Sequence, residues 1–435
     1  MKKNLRWVVV GLVALATVIN YIDRQTLNVL WPEQIAPQLF PDMDADGHKH
    51  ILGIVSVVFI FSYALGQAIF GKIFDWIGTR LGFVLSIGVW SIATALHALA
   101  KGVVSFSIFR SLLGIAEAGN WPGAAKANAE WFPVNERALA QGIFNSGAAI
   151  GGIISIPLIG FLALFMDWKL IFIVVGAVGL LWLVPWLVIV KGPPETHSWL
   201  SDDERTYILK GRINEDLDGD GGLDGGYNPS TGELLSRKQS WGVIIASAAI
   251  DPIWWLFIVW IPTYLFEVHG FLMKDLVISG WVPYVGAMLG AWFGGLLAQN
   301  RINAGWSVNK TRKLTIVLGC LLMLPALLAM SVAVTPVIAL TLMFIILFGF
   351  QTAIGNVQTL PSDFYGGKTV GTLSGFAGMA AKLTAAGLTY LVPWLTMGAN
   401  YAPVFVLGAA LALTAIASVW FLCGEIKPLK PRSSK

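Results

Sequence analysis

Gly71-Lys72-Ile73-Phe74-Asp75-Trp76-Ile77-Gly78-Thr79-Arg80 is a polar turn with two glycines, two bases and a carboxylate, set between apolar runs at 51–71 and 81–100. A hydrocarbon core about 30 Å thick is crossed by about 20 apolar residues in a helix. The bilayer offers the backbone no other hydrogen-bond partner, so runs of this length are read as spanning helices. Working outward from the turn, twelve such spans follow one another: 7–30, 51–71, 81–100, 103–128, 138–163, 169–190, 241–266, 277–299, 313–333, 336–360, 369–395 and 400–422. Composition agrees. Of 435 residues 56% are hydrophobic and 12% charged, and the mean hydropathy is +0.70, which excludes a soluble domain. The expected fold class is an all-α polytopic membrane protein.

The basic start, Met1-Lys2-Lys3 through Arg6, precedes an apolar run that carries Asn20, Asp23 and Arg24 and no small-residue cleavage site. It is therefore read as a retained first helix and not as a secretory signal. Positive loops stay cytoplasmic. With the N-terminus inside, 21 of the 29 Lys and Arg fall in cytoplasmic segments and only Lys49, Lys101, Lys169 and Lys274 outside. Both termini are thus expected in the cytoplasm, with the chain in the plasma or inner membrane. The formal charge of +4 follows from topology and implies no nucleic acid. Cys320 and Cys423 lie in separate apolar spans and make no disulfide or metal framework.

The polar stretch 191–240, rich in Gly, Asp, Glu and Lys, divides the spans six and six. The expected organisation is an N-terminal half 1–190, a cytoplasmic linker 191–240, a C-terminal half 241–424 and a cytoplasmic tail 425–435. Two repeated halves that rock about a central site are a common transporter plan. A second basic, glycine-bearing turn supports a repeat: Gly294-Gly295 through Arg301, then Gly305-Trp306-Ser307-Val308-Asn309-Lys310-Thr311-Arg312-Lys313, between spans eight and nine.

Here the sequence resembles the major facilitator superfamily, whose hallmark between its second and third helices has the form G-x-x-x-D-x-x-G-x-R. Residues 71–80 match it at every fixed position. Gly71, Asp75, Gly78 and Arg80 are read as gating residues: the glycines let helix ends approach, and Asp75 and Arg80 engage charges or helix ends across the half interface.

A charge at the bilayer centre costs at least about 2.5 to 3.5 kcal/mol, so ionisable residues inside a span face a cavity or a partner. They are read as concentrated in spans one and four. Span one carries Asn20-Tyr21-Ile22-Asp23-Arg24, and span four carries Arg110 and Glu117, seven residues apart and so on one helical face. Arginine stays charged and offers a planar fork matched to a carboxylate, which makes Arg24 and Arg110 candidates to grip an anionic substrate. Asp23 and Glu117 are candidates to carry protons, because burial and a neighbouring arginine act on a carboxyl in opposite senses. The structural alternative is that the four form static ion pairs locking helices one and four.

Span four continues Ala116-Glu117-Ala118-Gly119-Asn120-Trp121-Pro122-Gly123-Ala124-Ala125-Lys126, then Glu130-Trp131-Phe132-Pro133 and Glu136-Arg137-Ala138, before Gly142-Ile143-Phe144-Asn145-Ser146-Gly147. This run is similar to the anion:cation symporter branch of that superfamily and to its hexuronate and sugar-acid (galactonate-like) transporters. Asn20 to Arg24, Gly305 to Lys313, and Leu360-Pro361-Ser362-Asp363 followed by Val370-Gly371 extend the likeness to all helices but not the linker. The resemblance implies substrate binding and proton coupling at Asp23, Arg24, Arg110 and Glu117, with substrate contacts from Tyr21, Tyr63 and Asn356. Asn145 and Ser374 join these as candidate hydroxyl binders.

The second half departs from the sugar-acid pattern. Span seven reads Trp260-Ile261-Pro262-Thr263-Tyr264, with Thr263 where relatives often carry a base. Span eleven carries Lys382, which shares a face with Ser374 and Gly378 at spacings of four. Lys382 is either a substrate-binding cation supplied from another helix, or a side chain paired with a carboxylate or snorkelling to an interface. Trp260 and Tyr264 are pocket candidates, near Pro262 in a span that a proline leaves able to unwind. His97, His197 and His269 are read as solvated at helix ends or loops.

Two loops, Asp42-x-Asp44-x-Asp46-Gly47 and Asp216-x-Asp218-x-Asp220-Gly221, open like calcium loops. At position twelve they hold Gly53 and Tyr227 in place of a bidentate Glu, so both are read as plain acidic loops. No metal or other cofactor is expected, the proton gradient being the driving force. A membrane enzyme would need a metal, nucleophile or phosphate cluster, and a sensor an appended signalling domain. An ion channel has no use for two arginines facing two carboxylates. The leading reading is a proton-coupled symporter importing a hexuronate or aldonate by alternating access, acting as a monomer in the lipid bilayer on a small organic anion and protons. The alternatives are a uniporter or exchanger of another carboxylate, such as a dicarboxylate or sialic acid, and a non-transporting sensor.

Overall fold

The computed structural model describes residues 4–212, 229–332, 335–365 and 367–430. Its elements are helices, with no strand among the described residues. We number the long ones α1 (Leu5–Leu30), α2 (Ala45–Gly71), α3 (Trp76–Leu99), α4 (Val103–Glu117), α5 (Asn120–Trp131), α6 (Val134–Ala163) and α7 (Trp168–Ile189). After the polar stretch come α8 (Lys238–His269), α9 (Met273–Ser279), α10 (Val282–Asn303), α11 (Val308–Met330), α12 (Pro336–Val357), α13 (Gly367–Leu395) and α14 (Ala402–Ala417).

Among the described residues ten stretches are long and apolar enough to cross a membrane, and the fourth and eleventh expected spans are not among them. The fourth is split at Ala118-Gly119 into α4, of 15 residues, and α5, of 12. A helix of 15 residues rises only about 22 Å, so the crossing needs both pieces. The eleventh is long enough at 29 residues, but its Gly, Ser, Thr and Lys382 lower its hydropathy. Counting both, the described residues form an all-α polytopic fold of twelve crossings.

The turn at 71–80 is not a loop. One helix runs Ala45–Leu96 and is kinked where Gly78 adopts φ 79°, ψ 170°, a conformation that a residue with a Cβ rarely takes. A Cβ on Gly71 would meet nothing within 4 Å. The two hallmark glycines therefore differ: Gly78 is needed for backbone shape, and Gly71 for no close approach within this structure. Arg80 donates from Nη2 to the Leu187 carbonyl at 3.4 Å, while the Asp75 side chain lies outside the described residues.

The chain forms two compact units, Met1–Asn214 with Phe271–Trp281, and Glu215–Gly270 with Val282–Lys435. In the first, α9 packs on α6. Part of the stretch expected as a linker is helical, Asp202–Arg212. Its Glu204 receives the Leu5 amide at 3.1 Å and pairs with Arg6 at 2.7 Å. A carboxylate thus caps the N-terminus of α1, where the helix dipole favours negative charge.

Without water to drive helices together, packing in lipid rests on small residues that allow close contact. A Cβ on Gly66 of α2 would stand 2.4 Å from the Ile115 carbonyl, and one on Gly114 of α4 2.6 Å from the Phe59 carbonyl. Only glycine permits this crossing. It sets Arg110 and Glu117 beside Phe59 and Tyr63.

Candidate substrate and proton site

The polar residues of α1 are fully inside the first unit: Asn20, Tyr21, Asp23, Arg24 and Gln25 are all buried. Arg24 donates to Glu117 Oε2 from Nη2 at 3.0 Å and from Nε at 3.3 Å, and to Asn20 Oδ1 from Nη2 at 3.1 Å. Its guanidinium also stands 5.0 Å from the Tyr21 ring, 5.1 Å from Tyr63 and 5.5 Å from Phe59. The aromatic faces supply part of what lost hydration would have given the cation.

Glu117 ends α4 at the break. The carbonyl of Ala116, close to that break, accepts from the Gly119 amide at 3.2 Å and from Ser86 Oγ at 2.7 Å, so α3 adds a second bond to a carbonyl at the break. Arg110, two turns earlier, lies 5.4 Å over the Phe59 ring and donates to the Arg24 carbonyl at 3.5 Å. Around the Asp23 carboxylate stand Glu117, Arg110, the Thr94 hydroxyl and the Trp90 indole. Both Asp23 oxygens, Arg110 Nε, Glu117 Oε1, Trp90 Nε1 and Thr94 Oγ1 are buried without a hydrogen-bond partner among the described residues. A buried polar group left unpaired is expensive. The cluster is thus one closed ion pair plus donors and acceptors held ready beside it.

Four of the residues singled out from sequence thus come together with Tyr21 and Tyr63. Arg24 and Glu117 are paired with each other, the static alternative, leaving Arg110 and Asp23 as the less satisfied cation and carboxylate. Asn145 is exposed on α6.

In the second unit, Lys382 pairs with Asp251 of α8 at 2.7 Å, so it is a partnered side chain and not a snorkelling one. Asp251 had not been singled out. It stands deep in an apolar run, the same signal that marked Asp23, and shows that intramembrane charge is not confined to spans one and four. The span is not unwound at Pro262: α8 runs unbroken through Pro252 and Pro262. Trp260 and Tyr264 are buried, and Trp260 Nε1 has no hydrogen-bond partner among the described residues. Tyr264 packs edge-on against Tyr401 and lies 3.3 Å from His269 Nε2 through its hydroxyl. Ser374 is exposed on α13. Asn356, next to the end of α12, accepts from Arg312 Nη1 at 3.1 Å, and Arg312 in turn pairs with Asp363 at 2.9 Å. Asn356, Arg312, Gln299 and Gln351 line a cavity of about 410 Å³.

The histidine reading needs correction, because His97 and His197 are both buried. His97 Nδ1 donates to the Ala93 carbonyl at 2.7 Å and its ring stacks on Phe172. His197 Nε2 donates to the Ile189 carbonyl at 2.8 Å and Nδ1 accepts from the Trp199 amide at 3.2 Å. Burial, with Lys191 and Arg205 nearby, pushes the His197 imidazole below its ordinary value. Of the acidic loops, the first is a helix cap: Asp44 Oδ1 accepts the Gly47 amide at 2.8 Å, and Asp46 pairs with Lys49. The second, with Asp216, Asp218, Asp220 and Gly221, lies outside the described residues, as does the Val370 side chain.

The profile of the Major Facilitator Superfamily matches residues 13–388. The chain belongs to this superfamily. It is a multi-pass membrane transporter and not an enzyme. It is 30% identical over 421 residues to the hexuronate transporter of Escherichia coli (strain K12), covering 96% of this chain and 94% of that one. It is 32% identical over 325 residues to the galacturonate transporter of Dickeya chrysanthemi, covering 74% and 90%. Among solved structures, a bacterial homologue of the human lysosomal transporter Spinster superposes with a TM-score of 0.70 at 19% identity, over 97% of this chain and 95% of that one. That likeness speaks to the superfamily fold alone.

Proposed function

We propose that this transporter imports a sugar acid, a hexuronate or aldonate, in symport with protons and by alternating access, from a site that includes the buried cluster of α1 and α4. The observation carrying the reading is the juxtaposition of Arg24, Arg110, Asp23 and Glu117 in the first unit. Four ionisable groups inside two spans are too costly to be incidental, and the relatives' names supply the chemical class. Arg110 offers the carboxylate a guanidinium with Nε free of partners, and Arg24 follows when it leaves Glu117. A carboxyl that loses its arginine is driven to take a proton, since an unpaired buried charge is far more costly than the neutral acid. Substrate binding at Arg24 thus links to protonation at Glu117, with Asp23 as the second carrier. Tyr21 and Tyr63 face hydroxyls, Asn145, Trp260, Tyr264, Asn356 and Ser374 are further contacts in this reading, and Gly71, Asp75, Gly78 and Arg80 govern gating. The positive loops support an inner-membrane location with both termini cytoplasmic.

The test is uptake of labelled galacturonate into vesicles holding the purified protein. An inward proton gradient is expected to drive accumulation, and a protonophore to abolish it. Uptake indifferent to the gradient would favour a uniporter or an exchanger.

A further inference from the structure

We infer that Lys382 and Trp255 form a carboxylate seat in the second unit, filled by the protein's own Asp251, and that the carboxylate of a transported acid takes this seat in exchange. The inference rests on the organic-acid reading above and adds a second anion-binding group to it.

Position excludes a casual role. Asp251 stands thirteen residues inside the α8 start at Lys238, and Lys382 thirteen residues before the α13 end at Leu395. At 1.5 Å per residue each is about 20 Å from the nearer helix end, beyond the reach of a lysine stem. Apolar contacts would join two helices as firmly as an ion pair, without its desolvation cost. Retaining both charges there points to use.

The geometry is that of a receptor for one carboxylate. Lys382 Nζ approaches Asp251 Oδ2 at 2.7 Å and Trp255 Nε1 donates to the same oxygen at 3.1 Å. The ammonium also lies 5.4 Å from the Trp255 ring. An ammonium and an indole N–H converging on one oxygen do not distinguish a side-chain carboxylate from that of a small acid. An ammonium is moreover a compact charge with rotatable donors, free to change partners.

The seat is open where the first-unit cluster is closed. The Lys382 and Asp251 side chains are 18% and 14% exposed, against none for Glu117. On α13, Ser374 is exposed and Gly378 half-buried in the row that leads to Lys382, and a Cβ on Gly378 would meet nothing within 4 Å. The adjoining row, with Met379 and Leu383, is exposed and wholly apolar, as a lipid face requires. The polar row is distinct from it and borders open space.

The experiment measures affinity of the purified full-length protein for galacturonate, with galactose as the uncharged comparison. Asp251→Asn removes the competitor and is expected to tighten galacturonate severalfold, and Lys382→Gln to weaken it about tenfold, as loss of one charged hydrogen bond implies. In the double variant Asp251→Asn with Lys382→Gln the gain is expected to vanish, leaving affinity about tenfold below wild type. That variant strands neither charge, so it answers the question even where Asp251→Asn fails to fold. Galactose binding is expected to be unmoved throughout. Wild-type affinity for galacturonate in the double variant, or a gain in Asp251→Asn that persists without Lys382, overturns the seat. A wild-type protein that binds no sugar acid removes the underlying reading and the inference with it, which is a different outcome.

Discussion

The Arg24 guanidinium and the Glu117 carboxylate, 93 residues apart in the chain, meet at 3.0 Å with 5% and 0% of their side chains exposed. Removing one member of a buried pair typically costs about 3–5 kcal/mol by stranding the other. Glu117→Gln keeps an acceptor for Arg24 and removes only the charge. Galacturonate binding is expected to be retained or tightened, since Arg24 then lacks a charged competitor for the substrate carboxylate. Accumulation driven by a proton gradient is expected to fail, while exchange of internal for external substrate persists. Accumulation at the wild-type rate would make Asp23 the principal proton carrier.

Arg110 holds less than Arg24. Its Nη2 reaches only the Arg24 carbonyl at 3.5 Å, and its Nε is without a hydrogen-bond partner among the described residues. Arg110→Ala should abolish the thermal shift given by galacturonate. It should also lower the melting temperature, because Asp23 then faces Glu117 with one cation fewer. Arg110→Lys restores charge without the planar fork, so stability should recover while binding stays at least about tenfold weaker. Full recovery of binding by lysine would show that charge alone, and not bidentate geometry, is what the position supplies.

The first unit was readable because its costs are local. Asp23, Arg24, Arg110 and Glu117 interrupt apolar runs, and a spacing of seven fixes Arg110 and Glu117 on one face before any contact is known. The split of the fourth span after Glu117 was not readable, since the close packing of Gly119 against Ser86 and Phe70 at the break is set by tertiary contacts. The burial of His97 depended on Phe172 and Phe106, brought to it by tertiary packing. Asp251 was within reach of the rule that found Asp23. What sequence does not show is its partner, because 131 residues separate it from Lys382.

Gly66 and Gly71 lie in one helix five residues apart, and the structure predicts opposite responses to alanine. At Gly66 the new Cβ would stand 2.4 Å from the Ile115 carbonyl, while at Gly71 it meets nothing within 4 Å. Gly66→Ala must push α2 from α4, at an overpacking cost of about 1–3 kcal/mol, and should weaken galacturonate binding by displacing Arg110 and Glu117. Gly71→Ala should leave the melting temperature and binding intact, and any loss of transport it causes would then be conformational. Equal melting temperatures for the two variants would contradict the packing described for α2 and α4.

His197 predicts a pH dependence of stability on the side of the membrane where α7 ends. Burial, with Lys191 and Arg205 nearby, disfavours its charged form, so its folded-state value lies below the ordinary value of 6.5. In the unfolded chain it binds a proton near about pH 6.5. Between those two values the unfolded state holds more protons than the folded one, so stability rises with pH there. The contribution is fully present above about pH 6.5, is lost as the pH falls toward the folded value, and then levels off. The apparent melting temperature in detergent should therefore decline on acidification below that point. His197→Gln, which cannot titrate, should start lower at neutral pH, because its amide replaces the bonds to Ile189 and Trp199 imperfectly, and should show a flatter profile. A variant profile parallel to wild type would place the acid sensitivity in another group.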